Sequence, residues 1–315
     1  MSQLALVVNS PQSPVVLETH PIPKLQKGQA LIRVTAASLN PLDQKTRDIG
    51  LFFKRESQNS LWETISSHKL PSPPALPWMV AAGSSSMPPW DLRFASKLRD
   101  SGLTEDEASS IPVCAIASFI ALYHTTGLGL PTPTTPKAEK FDFASQRLLI
   151  IGAGSNCGRY AVQLAKLSGF GQIISVVSLN NEKELRSLGA THIRAITGDE
   201  LIYSLDTVNS GEQQILGLAS LSNSKKGTLI TLSPTYDDKP AASLIGVKAA
   251  GYESRLTLGL SALYPEFTTI FWRNIAHWAR SGLIRPVQVQ VVEGLDAAKV
   301  NAALDNWTSK MTVHP

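Results

Sequence analysis

Cysteine is nearly absent from this chain of 315 residues, which holds only Cys114 and Cys157. Two thiols exclude a disulfide framework and a four-cysteine zinc site, and their wide separation predicts free thiols in a reducing compartment, the cytoplasm. Histidine does not make up the deficit. His20, His68, His124, His192, His277 and His314 show no HxxxH pairing, so no metal is expected, and His277 between Ala276 and Trp278 reads as a packed helix residue. Charge is sparse as well, at 17% of residues with a net +4. The 29 lysines and arginines are scattered rather than blocked, which argues against a nucleic-acid partner. Long apolar runs are missing too. The longest, Ile111 to Tyr123, contains Pro112 and Ser118; it is too short to cross a bilayer and reads as a buried helix, so no membrane partner is expected. The opening MSQLALVVNSPQSPV lacks the basic region and apolar core expected of a secretory leader.

What is present is an ordinary globular composition, 43% hydrophobic, on a chain long enough to favour two lobes over one. Residues 1 to 46 read as β-rich, with Ala5 to Val8, Val15 to Glu18 and Ala30 to Ala36 as short runs between proline and glycine turns. Residues 51 to 92 change character. Serine, tryptophan and six prolines crowd SSHKLPSPPALPWMVAAGSSSMPPW, which opposes continuous regular structure. From Leu103 the pattern turns helical, with Thr104 placed to cap a turn carrying Glu105, Asp106 and Glu107. PTPTTPKAEK then breaks the chain. Beyond it strand and helix patterns alternate through residue 233, including strands at Ser204 to Val208 and Thr228 to Leu232, which predicts an α/β doubly wound parallel sheet. The last part offers an amphipathic helix over Phe267 to Ser281, an alternating strand over Val287 to Val292 and a helix over Ala297 to Trp307. No internal repeat is visible.

Leu148 to Lys166, LLIIGAGSNCGRYAVQLAK, carries the most chemistry. An apolar run meets a glycine loop and then a helical pattern: a strand, a phosphate-sized turn and a helix start. Gly152 and Gly154 permit a sharp turn and a close backbone approach, while the first amides of the helix around Gly158 offer unpaired donors. A dinucleotide fits such a turn; the spacing is GxGxxxG rather than the six-residue fingerprint, and a plain tight turn also accounts for glycines here. A second apolar run, Gln172 to Val177, is followed by Ser178-Leu179-Asn180-Asn181 and a helical Glu182 to Leu188, completing a βαβ unit. At the end of that second strand an NAD site presents Asp or Glu to the ribose hydroxyls. Here the corner offers Ser178, Asn180 and Asn181, which favours NADP. A capping role for Ser178 or Asn181 is open beside the phosphate role.

These residues resemble the medium-chain dehydrogenase/reductase superfamily, in its zinc-free enoyl reductase-like branch. The likeness covers most of the chain and rests on Ser38-Leu39-Asn40-Pro41-Leu42-Asp43-Gln44-Lys45, on Leu103 to Ala121 with GLGLP after it, on the glycine loop with Tyr160 to Lys166, and on Leu188-Gly189-Ala190. It is strongest to the fungal trans-acting enoyl reductases of polyketide pathways and their toxin-cluster relatives. The resemblance implies a Rossmann domain over 126–265, and a smaller, truncated GroES-like β-barrel lobe over 1–125 that diverges at 50–100. A segment, 266–315, returns to that lobe. It also implies NADPH as cofactor, with the pyrophosphate over Gly152, Ala153, Gly154, Ser155, Asn156, Cys157, Gly158 and Arg159. The adenosine 2′-phosphate lies near Ser178, Asn180 and Asn181, and the nicotinamide near Asp43, Gln44, Lys45, Leu232 and Ser233. Hydride addition to the β-carbon of an enoyl group leaves charge on the carbonyl oxygen, and Lys45 is the candidate donor to it. A solvated Lys45, and Asp43 as a turn residue or its ion partner, are the plain alternatives.

The chain also departs from the family pattern. Pro77-Trp78-Met79-Val80-Ala81-Ala82-Gly83 stands where relatives carry a glycine-rich G-x-D-x-A-G stretch, several barrel strands are missing, and Lys310 to Pro315 lacks a V-S-G-like turn. The expected function is NADPH-dependent reduction of an α,β-unsaturated carbonyl, small or carrier-bound, with a polyketide synthase as partner. Quinone reduction lies within the same chemistry. A non-redox member acting as a scaffold or cyclisation catalyst is the alternative.

Overall fold

A computed structural model describes residues 2–22, 34–50, 79–81, 95–98, 101–193, 199–233 and 240–311. Residues 30–33, most of 51–92 and 312–315 therefore lie outside the described residues, and with them part of the Ala30 to Ala36 strand, most of the proline-rich segment and the chain end. The described Val34 to Ala36 is not a strand. Contacts divide the chain into two compact units, 1–112 with 288–315, and 113–287.

In the first unit β1 (Ser2–Val7) pairs antiparallel with β2 (Val16–Pro21), Val7 opposite Val16. Helix α1 (Pro41–Ile49) starts with proline at its first position and stops at Gly50, whose φ of 70° suits glycine. A short antiparallel ladder joins β3 (Met79–Ala81) to β4 (Ala95–Lys97).

The second unit follows from the alternation in the sequence. Helix α2 (Glu105–Ser109) still belongs to the first unit, and the second opens with α3 (Pro112–Tyr123, of which residues 113–123 fall in it). Thr104 caps α2 as expected: its hydroxyl accepts from Glu107 N–H at 3.2 Å, and the Glu107 carboxylate accepts from Thr104 N–H at 2.9 Å. Then come β5 (Arg147–Ile151), α4 (Asn156–Ser168), β6 (Gln172–Val176), α5 (Glu182–Leu188), β7 (His192–Ile193), β8 (Tyr203–Asp206), α6 (Ile215–Ala219), β9 (Gly227–Thr231), β10 (Tyr252–Leu256) and α7 (Pro265–Arg280). The strands form one parallel sheet in the order β10-β9-β8-β5-β6-β7. From β5 the chain winds to one side through β6 and β7, then returns to the other side with β8. The topological switch point thus falls between β5 and β8, and the crevice outside the carboxyl ends of these strands is where such sheets bind ligands.

The apolar run Glu105 to Tyr123 is long and apolar enough to cross a membrane by length and composition, but 72% of its most apolar window is buried inside the fold. Its Phe119, fully buried, packs against Phe267, Phe271 and Trp278 of α7, with ring centroids 5.3, 5.4 and 6.3 Å away. Residues 113–123 of α3 and all of α7 belong to the same compact unit as the sheet, while the sequence-based boundaries stand at 125 and 265.

The alternating segment Val287 to Val292 is not a strand. Its backbone finds side chains instead: Val287 N–H donates to the Tyr160 hydroxyl at 3.3 Å, and just before it Arg285 N–H donates to Gln163 Oε1 at 2.7 Å. The chain then enters α8 (Ala297–Met311) in the first unit. Asn301 acts there as a surrogate strand residue, its side chain bonding both N–H and C=O of Val15 at 2.8 Å. Val300 and Leu304 complete a core with Ala5, Leu6, Val7, Val8 and Val15. Arg47 of α1, 9% exposed at its side chain, pairs with Asp48 at 2.6 Å and with Asp305 of α8 at 2.7 Å.

Candidate functional site

The glycine loop leaves β5 at the switch point. Gly152 takes φ 71°, and its N–H and that of Ala153 donate to Val176 O at 3.1 and 3.2 Å, tying the loop to β6. Ser155 caps α4, its hydroxyl accepting from Gly158 N–H at 3.0 Å. Among the described residues the N–H groups of Gly154, Asn156 and Cys157 have no partner. They form a row of donors at the positive end of a 13-residue helix, a suitable seat for an anion. Gly158 makes this geometry possible. A Cβ there would lie 2.4 Å from Gly152 O and 2.6 Å from Ala153 Cα, so only glycine lets the helix start this close to the loop.

The neighbouring glycines are explained by packing. A Cβ on Gly152 would meet Val208 Cγ2 at 2.5 Å, and one on Gly154 would meet Asn181 Nδ2 and Val177 Cγ2, both at 2.8 Å. The space a Cβ on Gly154 would enter is thus filled by a hydrogen-bond donor and a methyl group. Asn181 Nδ2 donates to Ser178 Oγ at 3.2 Å, so these two form one polar corner; Asn180 and Ser178 are exposed. Arg159 projects from the first turns of α4 into the same corner. Its Nε and Nη2 donate to the two carboxylate oxygens of Glu184 at 2.8 and 2.9 Å, Nη1 to Gly154 O, and Nη2 to Asn181 Oδ1 at 3.5 Å.

Across the switch point, β8 contributes residues that sequence reasoning missed. Thr207 Oγ1 donates to Ile151 O or Gly152 O, each at 3.0 Å, and shares a 2.9 Å bond with Ser155 Oγ. Asp206 is fully buried and accepts from Val208 N–H, Asn209 N–H and Asn209 Nδ2 at 3.1, 2.9 and 3.0 Å. Burial pushes its carboxyl above the ordinary range, partly offset by those donors. The signal was a polar pair, Asp206-Thr207, ending an apolar run. Leu232 N–H donates to Asp206 O at 3.1 Å, and Ser233 O accepts from Thr231 Oγ1 at 2.8 Å and Gln214 Nε2 at 3.3 Å. Leu232 and Ser233 therefore continue the same carboxyl edge of the sheet.

Asp43, Gln44 and Lys45 belong to α1 of the first unit. The Asp43 carboxylate accepts from Asn40 N–H at 2.6 Å, a helix-capping contact rather than an ion pair with Lys45. Among the described residues the Lys45 ammonium has no partner, in contrast to Arg47. Asp43 is buried, and desolvation pushes its pKa up to about 6 despite the backbone donors. This fixes a sign. The folded state keeps its proton to higher pH than the unfolded chain, so between about pH 4 and 6 stability falls as pH rises, by about 3 kcal/mol for this group. Asp43→Asn removes that slope. Urea unfolding at pH 4.5 and 7.5 is expected to show wild type the more stable at the acid end relative to the variant; a difference between the two proteins that does not change with pH contradicts the assignment.

Among the described residues there is no group of three or more His, Cys, Asp or Glu side chains arranged to hold a metal. The donor row, the Gly158 contact and the switch-point location fit a dinucleotide diphosphate.

No family model matches the chain. A trans-enoyl reductase of Alternaria alternata is 26% identical over 330 residues, 93% of this chain and 92% of the relative. A zinc-type alcohol dehydrogenase-like protein of Schizosaccharomyces pombe is 22% identical over 325 residues, 92% of each. Among solved structures, the CurK enoyl reductase superposes with a TM-score of 0.70 at 15% identity, covering 97% of this chain and 96% of that one. The chain has the medium-chain dehydrogenase/reductase fold, and its relatives in sequence are fungal trans-enoyl reductases and zinc-type alcohol dehydrogenase-like proteins.

Proposed function

We propose that this protein is an NADPH-dependent reductase of α,β-unsaturated carbonyl compounds, zinc-independent and cytoplasmic, acting on an enoyl thioester delivered by a polyketide synthase. The observation that carries the reading is the row of amides at Gly154, Asn156 and Cys157, unpaired among the described residues, at the switch point of the parallel sheet. The names of the relatives support the reaction class. When bound, the nicotinamide supplies a hydride to the electron-poor carbon of the substrate double bond.

The protein's own groups do the rest. The Gly154, Asn156 and Cys157 amides hold the diphosphate, and Ser155, tied to Thr207, keeps the loop in register with β8. Leu232 and Ser233 line the carboxyl edge beyond β9. Lys45, from the family-like segment, is assigned the charge that develops on the carbonyl oxygen.

The test couples titration calorimetry of NADPH with its oxidation in the presence of a crotonyl thioester or a quinone. Binding with thioester-dependent oxidation is expected. Oxidation by quinone alone moves the protein to quinone reduction. Binding without turnover favours the non-redox scaffold or cyclisation reading, and no binding of NADPH or NADH overturns the proposal.

A further inference from the structure

The corner beside Gly154 holds a fully built but counter-charged cation. Ser178 Oγ, the Asn181 amide and the Arg159 guanidinium form a continuous chain of polar groups, with links of 3.2 and 3.5 Å. Arg159 ends on Glu184, which engages it in a two-point pair at 2.8 and 2.9 Å. The pair is asymmetric in exposure: the Arg159 side chain is 19% exposed and Glu184 39%. Gly154 O and Asn181 hold the guanidinium from the loop side, so Arg159 is positioned even without the carboxylate. Glu184, on the solvent side, is the replaceable partner. A phosphate monoester matches the same two-point donor geometry and carries more charge than a carboxylate.

We propose that Arg159 discriminates NADPH from NADH, exchanging Glu184 for the adenosine 2′-phosphate, and that Glu184 holds the empty site neutral and opposes the phosphorylated cofactor. The inference rests on the dinucleotide reading of the glycine loop and adds the cation that the Ser178 to Asn181 corner lacks in sequence. Arg159 and Glu184 are 25 positions apart on different helices, which is why the corner reads as uncharged along the chain.

The test uses the intact protein and two fragments, 2′,5′-ADP and 5′-AMP, in titration calorimetry, so it needs no turnover. Wild type is expected to prefer 2′,5′-ADP. Arg159→Met is expected to weaken 2′,5′-ADP by about 10- to 100-fold, the range of one or two lost charge-assisted contacts, while 5′-AMP stays within about twofold. Glu184→Gln is expected to tighten 2′,5′-ADP by about threefold or more and leave 5′-AMP unchanged. Two outcomes overturn the proposal: equal weakening of both fragments by Arg159→Met, which makes the arginine a loop brace, or a Glu184→Gln variant that loses 2′,5′-ADP affinity. Failure of wild type to bind either fragment is a different result, since it removes the dinucleotide site itself and this inference with it.

Discussion

Gly158→Val is expected to weaken NADPH binding by at least about 100-fold, with the sheet and helices retained in far-UV circular dichroism. The cause is steric and local. The new Cβ would lie 2.4 Å from Gly152 O, 2.6 Å from Ala153 Cα and 2.8 Å from Ala153 C, all main-chain atoms of the glycine loop. No side chain can rotate away to relieve this, so the start of α4 must withdraw from β5 and carry the Asn156 and Cys157 amides with it. Displacing two or three charge-assisted donors by an ångström accounts for a loss of that size. Gly169→Ala is the control. Unlike Gly158, Gly169 takes a positive φ, 88°, and nothing lies within 4 Å of a Cβ there. It closes α4 at the end remote from the loop, so the variant is expected to lose about 1 kcal/mol of stability through backbone strain and no affinity. NADPH binding to Gly158→Val at wild-type strength contradicts the assignment of the diphosphate to these amides.

The parts of this site that lie along one stretch of chain were legible in the sequence. Strand, glycine turn and helix between Leu148 and Lys166 form as their periodicity predicts, because β5 is buried on both faces and reads as an unbroken apolar run. The parts assembled from separate strands were not. Thr207 bonds to Ser155 and Gly152 across 52 and 55 positions, and Arg159 meets Glu184 only because the βαβ crossover lays α5 beside α4. The Val287 to Val292 segment shows the opposite failure. Its alternation is real, but no strand is offered to it, and Tyr160 and Gln163 take its neighbouring N–H groups instead. Asp43 is a helix cap rather than the ion partner of Lys45, and its spacing from Asn40 marks a cap as clearly as it marks a turn.

The same helix pair sets the second large effect. Trp278→Ala is expected to destabilise the second unit by about 3–5 kcal/mol, the cost of emptying a buried aromatic position. Trp278 is 1% exposed and stacks its indole within 6.3 Å of Phe119 and 6.2 Å of Phe271. Phe119 belongs to α3, and α3 braces α4: Ser118 Oγ donates to Cys157 O at 2.7 Å, and the Tyr123 hydroxyl donates to Leu164 O at 2.8 Å and shares a 2.6 Å bond with Ser168 Oγ. The cavity therefore loosens the support of α4 without touching its amides. Trp278→Phe retains part of the packing and is expected to lose less than the alanine variant. The two kinds of damage separate under ligand. A cofactor that binds only the folded state adds about 2.7 kcal/mol at a hundredfold excess over its dissociation constant, so NADPH is expected to raise the unfolding midpoint of Trp278→Ala and leave that of Gly158→Val where it was. If NADPH shifts neither midpoint, or raises both equally, the amides of α4 are not where the cofactor's binding energy resides.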